Sequence, residues 1–519
     1  MAVDVARGFG LGRTATGLLA SLLVLVATLP VFGDLQRDLE RAIANAGLDG
    51  MDIGVSVVDL RSGRRLAEIN AFEPLIPASN MKLLTSASAL LSLGDDFVFD
   101  TRFILDGEKL IVVGSGDPGL GDPTLLSALP EPMDIEALVD FIANAIAQSG
   151  AKTIREVVID DRAFDREAVH PSWPRDQLQY YYCAEVGGLN FHLNVVNVYA
   201  RPTTLNQPAR VVIEPNASGV EIENTTTTVP SRTSAGRAHA SAIHIRREGN
   251  GNHLLVSGQV SRSEGAPTAV RDTAILFGEM LAERLEKSGV VIGLAHGLPS
   301  DAVRRIGESE TYEGRPVLVI KTPITEVMRR CNTDSYNLHA EALFKTLGHA
   351  LTGQSGSWAL GAASMRSILV DAIGPGSLDG LRISDGSGMS RNNAVAPATL
   401  TALLAHMNIV SDEGVRTLFR ESLAQSGEGT LSRNFLSTRE LRGDVRAKTG
   451  YLNGVRAITG YVMPKGSSEP TVAFSILMND FTAGQSLRSR ELRNELVRII
   501  DRVGAGQGAG AVVVEPDAP

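Results

Sequence analysis

The chain has 519 residues and a mass of 55.1 kDa, 43% of it hydrophobic, which at roughly 100–200 residues per domain implies several units rather than one. Its 49 Lys and Arg against 59 Asp and Glu give a net charge of −10, and with no basic block it lacks the phosphate-neutralising surface that nucleic-acid binding needs. The mixed composition excludes a disordered or fibrous chain, and two cysteines, Cys183 and Cys331, exclude a disulfide scaffold and a four-cysteine zinc site.

Arg7 and Arg13 precede an apolar run from Gly17 to Phe32. Sixteen residues is short for a membrane span of about 20, so residues 1–33 read as a secretory signal peptide or an uncleaved anchor. Either sends the body across a membrane, to a periplasmic or otherwise extracytoplasmic site. Asp34 to Ala46 reads as a helix, with Leu35, Leu39 and Ile43 at helical spacing. Strands are predicted over 53–59 and 65–70, then a helix from about Ser79. From Phe97 to about Val270 the texture becomes strand-like, with runs at 109–113, 156–159, 195–199, 210–213 and 253–256 broken by Asn, Gly, Thr and Pro. Helical patterning returns at 273–287 and dominates from Thr325 to Met407, and the Gly-rich tail after Val503 reads as flexible. The expected organisation is a mixed α/β domain in two pieces, 34–99 and 274–503. Between them lies a β-rich insertion at 100–273, read as two small domains, and residues 504–519 form the tail.

Three short motifs carry the candidate chemistry. In Ser79-Asn80-Met81-Lys82, helical spacing puts serine and lysine on one face, where a neutral lysine can take the hydroxyl proton. Burial or a nearby cation would favour that neutral form. The same tetrad recurs at Ser149-Gly150-Ala151-Lys152, but there Ser149 ends a helix. A nucleophile wants the N-terminal end, where free N–H groups favour negative charge. Ser335-Tyr336-Asn337 offers a hydroxyl and an amide on a turn. Ser390-Arg391-Asn392 and Ser432-Arg433-Asn434 match equally well, and each alone reads as a cap or turn. Lys448-Thr449-Gly450, placed at the start of a strand, can hold a carboxylate beside a glycine that admits substrate to the backbone. Lys287-Ser288-Gly289 reads instead as a helix C-terminus.

In the order Ser-x-x-Lys, Ser-x-Asn, Lys-Thr-Gly, the motifs are the signature of penicillin-interacting serine enzymes. The 256 residues (335 − 79) between the first two make the chain resemble the class C low-molecular-mass penicillin-binding proteins, the D-alanyl-D-alanine carboxypeptidase/endopeptidase family. Gly114–Pro118, Ile159–Phe164, Asp385–Arg391, Gly427–Leu431 and Ala447–Gly450 add to the likeness. The resemblance implies a multidomain α/β fold: a transpeptidase/β-lactamase-like domain of antiparallel sheet and helices, interrupted after the first motif. It implies Ser79 as acylated nucleophile, Lys82 as general base and Ser335 as proton donor to the leaving D-alanine. Asn337 would bind the substrate amide, and Lys448 with Thr449 the terminal carboxylate. Gly450 admits substrate, and the Ser79 and Tyr451 N–H groups would form the oxyanion hole. Asp160, Phe164, Arg391 and Asn453 fall where family members contact the stem-peptide side chain. Peptidoglycan stem peptides are the implied substrate and β-lactams the covalent inhibitors. No metal, cofactor, nucleic acid or stable protein partner is called for.

A serine β-lactamase would need a deacylating base. Glu185 to Asn190 is one residue too long for the class A pattern and precedes Ser335. A metal-dependent peptidase would need clustered ligands, yet no His-Glu-x-x-His occurs, and His339 and Glu341 read as helix surface. A non-catalytic murein-binding or sensor protein would be expected to have lost Ser79 or Lys82.

Overall fold

The computed structural model describes residues 30–506, apart from 233–236, 238–239, 294–296 and 433–434. The apolar run before residue 30, the tail after 506 and most of the Ser432-Arg433-Asn434 match lie outside the described residues. Among the described residues, no helix is long and apolar enough to cross a membrane.

One antiparallel sheet orders its strands as Ala424–Gln425, Asp444–Leu452, Val455–Met463, Val472–Asn479, Asp52–Asp59 and Arg65–Ile69. Asp52–Asp59 thus pairs with Val472–Asn479 from the far end of the chain, Val55 lying opposite Ile476. Alternation along the strands serves two faces. Ile458, Val462, Phe474 and Ile476 pack with Leu39, Leu492 and Leu496 of the terminal helices Pro30–Asn45 and Ser486–Gly506. Ala457, Tyr461, Ala473 and Leu477 face a second core, shared with Met81–Leu93, Ile324–Asn332, Asn337–Thr352, Trp358–Ile373, Pro397–Ile409 and Glu413–Ser422. The described parts of the first and last helices are Pro30–Asn45 and Ser486–Gly506, so helix covers residues 504–506 of the stretch read as tail.

The second body is a mixed five-stranded sheet ordered Val303–Arg305, Glu156–Asp160, Lys109–Gly114, Val98–Asp106, Arg315–Pro323. Helices Ile135–Gln148 and Thr273–Lys287 share its core. Two three-stranded sheets extend it, centred on Val195–Arg201 and His253–Val260. This corrects the return placed at residue 274. Thr273–Lys287 packs on the inserted sheet through Phe277, Leu281 and Leu285, and Arg315–Pro323 pairs with Val98–Asp106. The chain rejoins the first body at Ile324. Helical periodicity reports an apolar face but not which sheet covers it, so patterning placed this helix on the wrong side of the boundary.

Candidate active site

Ser79 sits in the 3-10 turn Ala78–Asn80 that opens the helix Met81–Leu93. The turn is unusual, since Ala78 takes a φ of 47°. Its carbonyl is packed by the loop at Gly388, where a Cβ would lie 1.8 Å from Ala78 O. Only glycine, itself at φ 83°, lets that loop close over the turn.

Lys82, one turn on, is fully buried. Its Nζ lies 3.1 Å from Ser79 Oγ, 2.6 Å from Asn337 Oδ1 and 2.8 Å from the Ser387 carbonyl. Burial pulls its pKa down to about 8, against the opposing pull of Cys331, Glu341 and Asp385. Asn337 begins the helix Asn337–Thr352, and its Nδ2 donates to the Tyr182 carbonyl at 2.7 Å, so the amide spans the first motif and the inserted region. Ser335 precedes it at φ 65°. Lys448 Nζ donates to Ser335 Oγ at 2.8 Å and to the Thr449 carbonyl at 3.0 Å. Lys448 is likewise fully buried. Burial first and the nearby Lys82 charge second push its pKa well below the usual lysine range.

Lys448 does not start a strand, as the sequence suggests, but lies within Asp444–Leu452. Its short neighbour Ala424–Gln425 pairs only with Ala447 and Arg446. From Lys448 to Leu452 that edge therefore has no strand partner among the described residues. Asn80 Nδ2 ties this edge to the first motif through the Lys448 carbonyl at 2.8 Å.

The fold thus joins Ser79, Lys82 and Asn337 by hydrogen bonds and Ser335 with Lys448 by another, the two groups tied through Asn80 to the Lys448 carbonyl, with Thr449, Gly450 and Tyr451 continuing the same strand. Arg391 and Asn453 meet at its exposed rim, where the Arg391 guanidinium donates to the Asn453 carbonyl. The side chains of Asp160 and Phe164 have other partners. The Asp160 carboxylate accepts from Arg162 Nε and Nη2 at 2.8 and 2.7 Å and from Tyr312 OH at 3.1 Å. Phe164 is 1% exposed, its ring filling the space left by Gly116, and so offers no surface to a ligand. Ser149 caps its helix and donates to the Ile146 carbonyl at 2.6 Å. Cys183 and Cys331 are free and buried.

His339 and Glu341 are not helix surface, since both are fully buried. Glu341 accepts from Trp358 Nε1 at 2.9 Å and from the Gly386 and Ser387 N–H groups at 3.0 and 2.8 Å. It therefore anchors the loop whose Ser387 carbonyl meets Lys82. Burial, then Asp385, raises Glu341 to about 7. Sequence reasoning missed this tie because Asn337–Thr352 is buried on nearly every face, leaving no polar stripe to distinguish inside from outside.

Residues 35–503 match the model of the D-Ala-D-Ala carboxypeptidase 3 (S13) family. The chain belongs to this family. It is a serine-type D-Ala-D-Ala carboxypeptidase, as the ordered motifs implied. It is 31% identical over 478 residues to a D-alanyl-D-alanine carboxypeptidase of Actinomadura sp. (strain R39), covering 86% of this chain and 81% of the relative. It is 24% identical over 510 residues to the D-alanyl-D-alanine carboxypeptidase DacB of Haemophilus influenzae, covering 94% and 97%. The S13 fold is also seen in the crystal structure of penicillin binding protein 4 (dacB) from Haemophilus influenzae. That structure superposes with a TM-score of 0.67 at 21% identity, covering 90% of this chain and 99% of that one.

Proposed function

We propose that this S13 peptidase hydrolyses peptidoglycan stem peptides through a Ser79 acyl-enzyme, both as a carboxypeptidase on terminal D-Ala-D-Ala and as an endopeptidase on cross-links. The observation that carries the reading is the set of three acceptors around Lys82. A neutral amine has two N–H groups and one lone pair. Asn337 Oδ1 at 2.6 Å and Ser387 O at 2.8 Å can take the two N–H groups, which turns the lone pair toward Ser79 Oγ at 3.1 Å. With a pKa of about 8, an appreciable fraction of Lys82 is neutral near physiological pH and can accept the Ser79 proton as Oγ attacks the scissile carbonyl.

The oxyanion is held by the N–H groups of Ser79 and Tyr451. Ser335 delivers its proton to the departing amine and regains one from Lys82, which the transfer leaves neutral again. Its contact with Lys448, which with Thr449 holds the leaving carboxylate, keeps the hydroxyl directed there. Asn337 retains a second N–H and a further lone pair for the substrate amide. Water then cleaves the ester, with Lys82 again as base. Arg391 and Asn453 contact the stem-peptide side chain at the rim.

The catalytic domain comprises residues 34–97 with 324–503, and residues 98–323 form the insertion. Action on peptidoglycan and an N-terminal secretory segment together support an extracytoplasmic location. β-Lactams acylate the same serine, and one solved relative is a penicillin binding protein 4 complexed with a novel β-lactam. The tethered leaving group of an opened ring blocks the path of water, so the adduct outlives the peptide acyl-enzyme by roughly 10³-fold or more. Purified muropeptides, read by mass before and after incubation, test the reading. Loss of terminal D-alanine together with dimer cleavage supports it, and no change in either would overturn it. Benzylpenicillin should leave a stable mass increase confined to the peptide containing Ser79, whereas rapid turnover without an adduct would make the protein a β-lactamase.

A further inference from the structure

The second motif sits in the short link between the helices Ile324–Asn332 and Asn337–Thr352. Ser335 takes a φ of 65° there, a conformation that an L-residue holds only when its surroundings fix it. Arg330, 4% exposed, reaches both neighbours of the serine. Its Nη1 donates to Asp334 Oδ2 at 2.6 Å, and its guanidinium lies 4.2 Å from the centre of the Tyr336 ring. Its carbonyl accepts from the Tyr336 N–H at 3.1 Å. Arg329 adds a looser contact with Asp334 at 3.6 Å. The other edge of the Arg330 guanidinium is held from the inserted body. Asp122, fully buried, accepts from Nε at 2.7 Å and from Nη2 at 3.1 Å. Asp122 is itself anchored in the insertion, where it caps the helix Pro123–Ser127 by accepting from the Thr124 N–H at 2.8 Å. His339 Nε2 lies 3.6 Å from Asp122, but burial pulls its pKa down to about 3, so it adds no charge.

Building on the proton-donor role of Ser335 proposed above, we infer that Arg330 is a positioning residue for that hydroxyl, and that Asp122 of the insertion holds Arg330 to the task. Lys448 donates to Ser335 Oγ, which leaves the serine's own proton for the departing amine. That contact fixes the oxygen from one side only. The direction of the hydroxyl follows from the backbone between Asp334 and Tyr336, and one guanidinium grips both. The paired bonds to Asp122 fix the guanidinium in plane as well as in place. A lysine there would keep the charge but could not hold Asp122, Asp334 and the Tyr336 ring at once. Lys345 with Asp165, 2.7 Å apart, also joins the two bodies, but further along the helix Asn337–Thr352. The pair at Arg330 differs in touching the residues on either side of the reaction's acid. The insertion thus acts on the acid through a chain of contacts that touches neither substrate nor Ser79.

The test reads kcat/KM on the full chain for a D-Ala-D-Ala peptide and for its thiolester counterpart, in which sulfur replaces the scissile nitrogen. A thiolate departs without a proton, so only the peptide needs Ser335 as acid. Both substrates are read on one preparation, so any loss of folded protein cancels in their ratio. Ser335→Ala should lower the peptide rate roughly 10²-fold or more and the thiolester rate far less. Arg330→Lys should lower the peptide-to-thiolester ratio about tenfold, the cost of a misplaced acid. Asp122→Asn, which keeps an oxygen for the Thr124 N–H, and Asp334→Asn, at a half-buried position, should lower it by less. Asp165→Asn should lower stability in a melt and leave the ratio at its wild-type value. An unchanged ratio in the folded variants, or one that Asp165→Asn moves equally, would overturn the positioning role. Failure of the underlying reading would look different: Ser335→Ala would lower both rates equally, or the wild-type protein would cleave neither substrate.

Discussion

Ser79 and Ser149 each stand three residues before a lysine, yet they occupy opposite ends of their helices in different bodies of the molecule. Ser149 closes Ile135–Gln148, spends its hydroxyl on the Ile146 carbonyl and is followed by Gly150 at φ 101°. Lys152 points into water. Ser79 opens its helix, and Lys82 is fully buried with three acceptors around it. Spacing is common to both. What differs is helix polarity, which puts N–H groups or carbonyls beside the hydroxyl, and burial, which lets the lysine lose its proton.

The bluntest way to break this contrast is to remove each hydroxyl. Ser79→Ala should lower hydrolysis by roughly 10³-fold or more and abolish labelling by a fluorescent penicillin. The fold should persist, since no side-chain cap bond is lost at this helix start. Ser149→Ala should leave both readouts unchanged. Wild-type labelling of Ser79→Ala would make the two serines equivalent after all.

Burial of Lys82 carries a second consequence. Holding its pKa at about 8 rather than the usual 10.5 costs the folded state about 3 kcal/mol at neutral pH, at about 1.4 kcal/mol per pKa unit. For a base whose folded pKa is depressed, this penalty is complete below pH 8 and vanishes above 10.5. Lys82→Met should therefore be inactive yet more stable at pH 7, by up to about 3 kcal/mol less whatever the lost hydrogen bonds contributed. The gain should shrink as pH rises between the two values. Denaturant melts at pH 7 and pH 10 measure it, and a gain that does not change with pH would refute the burial argument.

Lys448→Ala should cost about 1.5–3 kcal/mol in kcat/KM, the range for a hydrogen bond to a charged group, toward peptides ending in a free carboxylate. It should cost much less toward C-terminally amidated ones. Equal losses on both would show that Lys448 acts through Ser335 or through the charge it places near Lys82.

Strands were legible where apolar residues run between turn signals. Ile53 to Asp59 reads as a strand because its apolar positions continue through both buried faces. The five clustered motif residues were legible because their order, rather than any one of them, is improbable by chance. Three features were not. The side on which Thr273–Lys287 packs depends on distant partners such as Phe103, which meets Phe277 across 174 positions (277 − 103). Phe164 and Asp160 sit in a segment that looks like a substrate-binding one, but their side chains serve Gly116, Arg162 and Tyr312 instead. The contacts of Ser387 and Tyr182 run through backbone carbonyls, which every residue type supplies and no motif can announce.

The smallest expected effect sharpens the contrast between the two lysines furthest. Lys82 is held near neutrality by burial, but Cys331, Glu341 and Asp385 pull it back toward the charged form. Glu341 titrates at about 7, so its pull exists only above that pH. As pH rises through 7 in the wild-type protein, Glu341 ionises and makes Lys82 harder to deprotonate just as Lys82 approaches its own pKa. The rise of kcat/KM with pH should then be shallower than that of a single proton, since two groups share the titration. Glu341→Gln keeps one acceptor for the loop N–H groups while removing the charge. Its profile should rise with single-proton steepness and at lower pH, giving a few-fold faster acylation near pH 7–8. Loss of the Trp358 or Gly386 contact should lower stability by about 1–3 kcal/mol, which a parallel melt records separately. A profile of unchanged shape and position, in a folded variant, would show that Glu341 only ties the loop and does not tune the base.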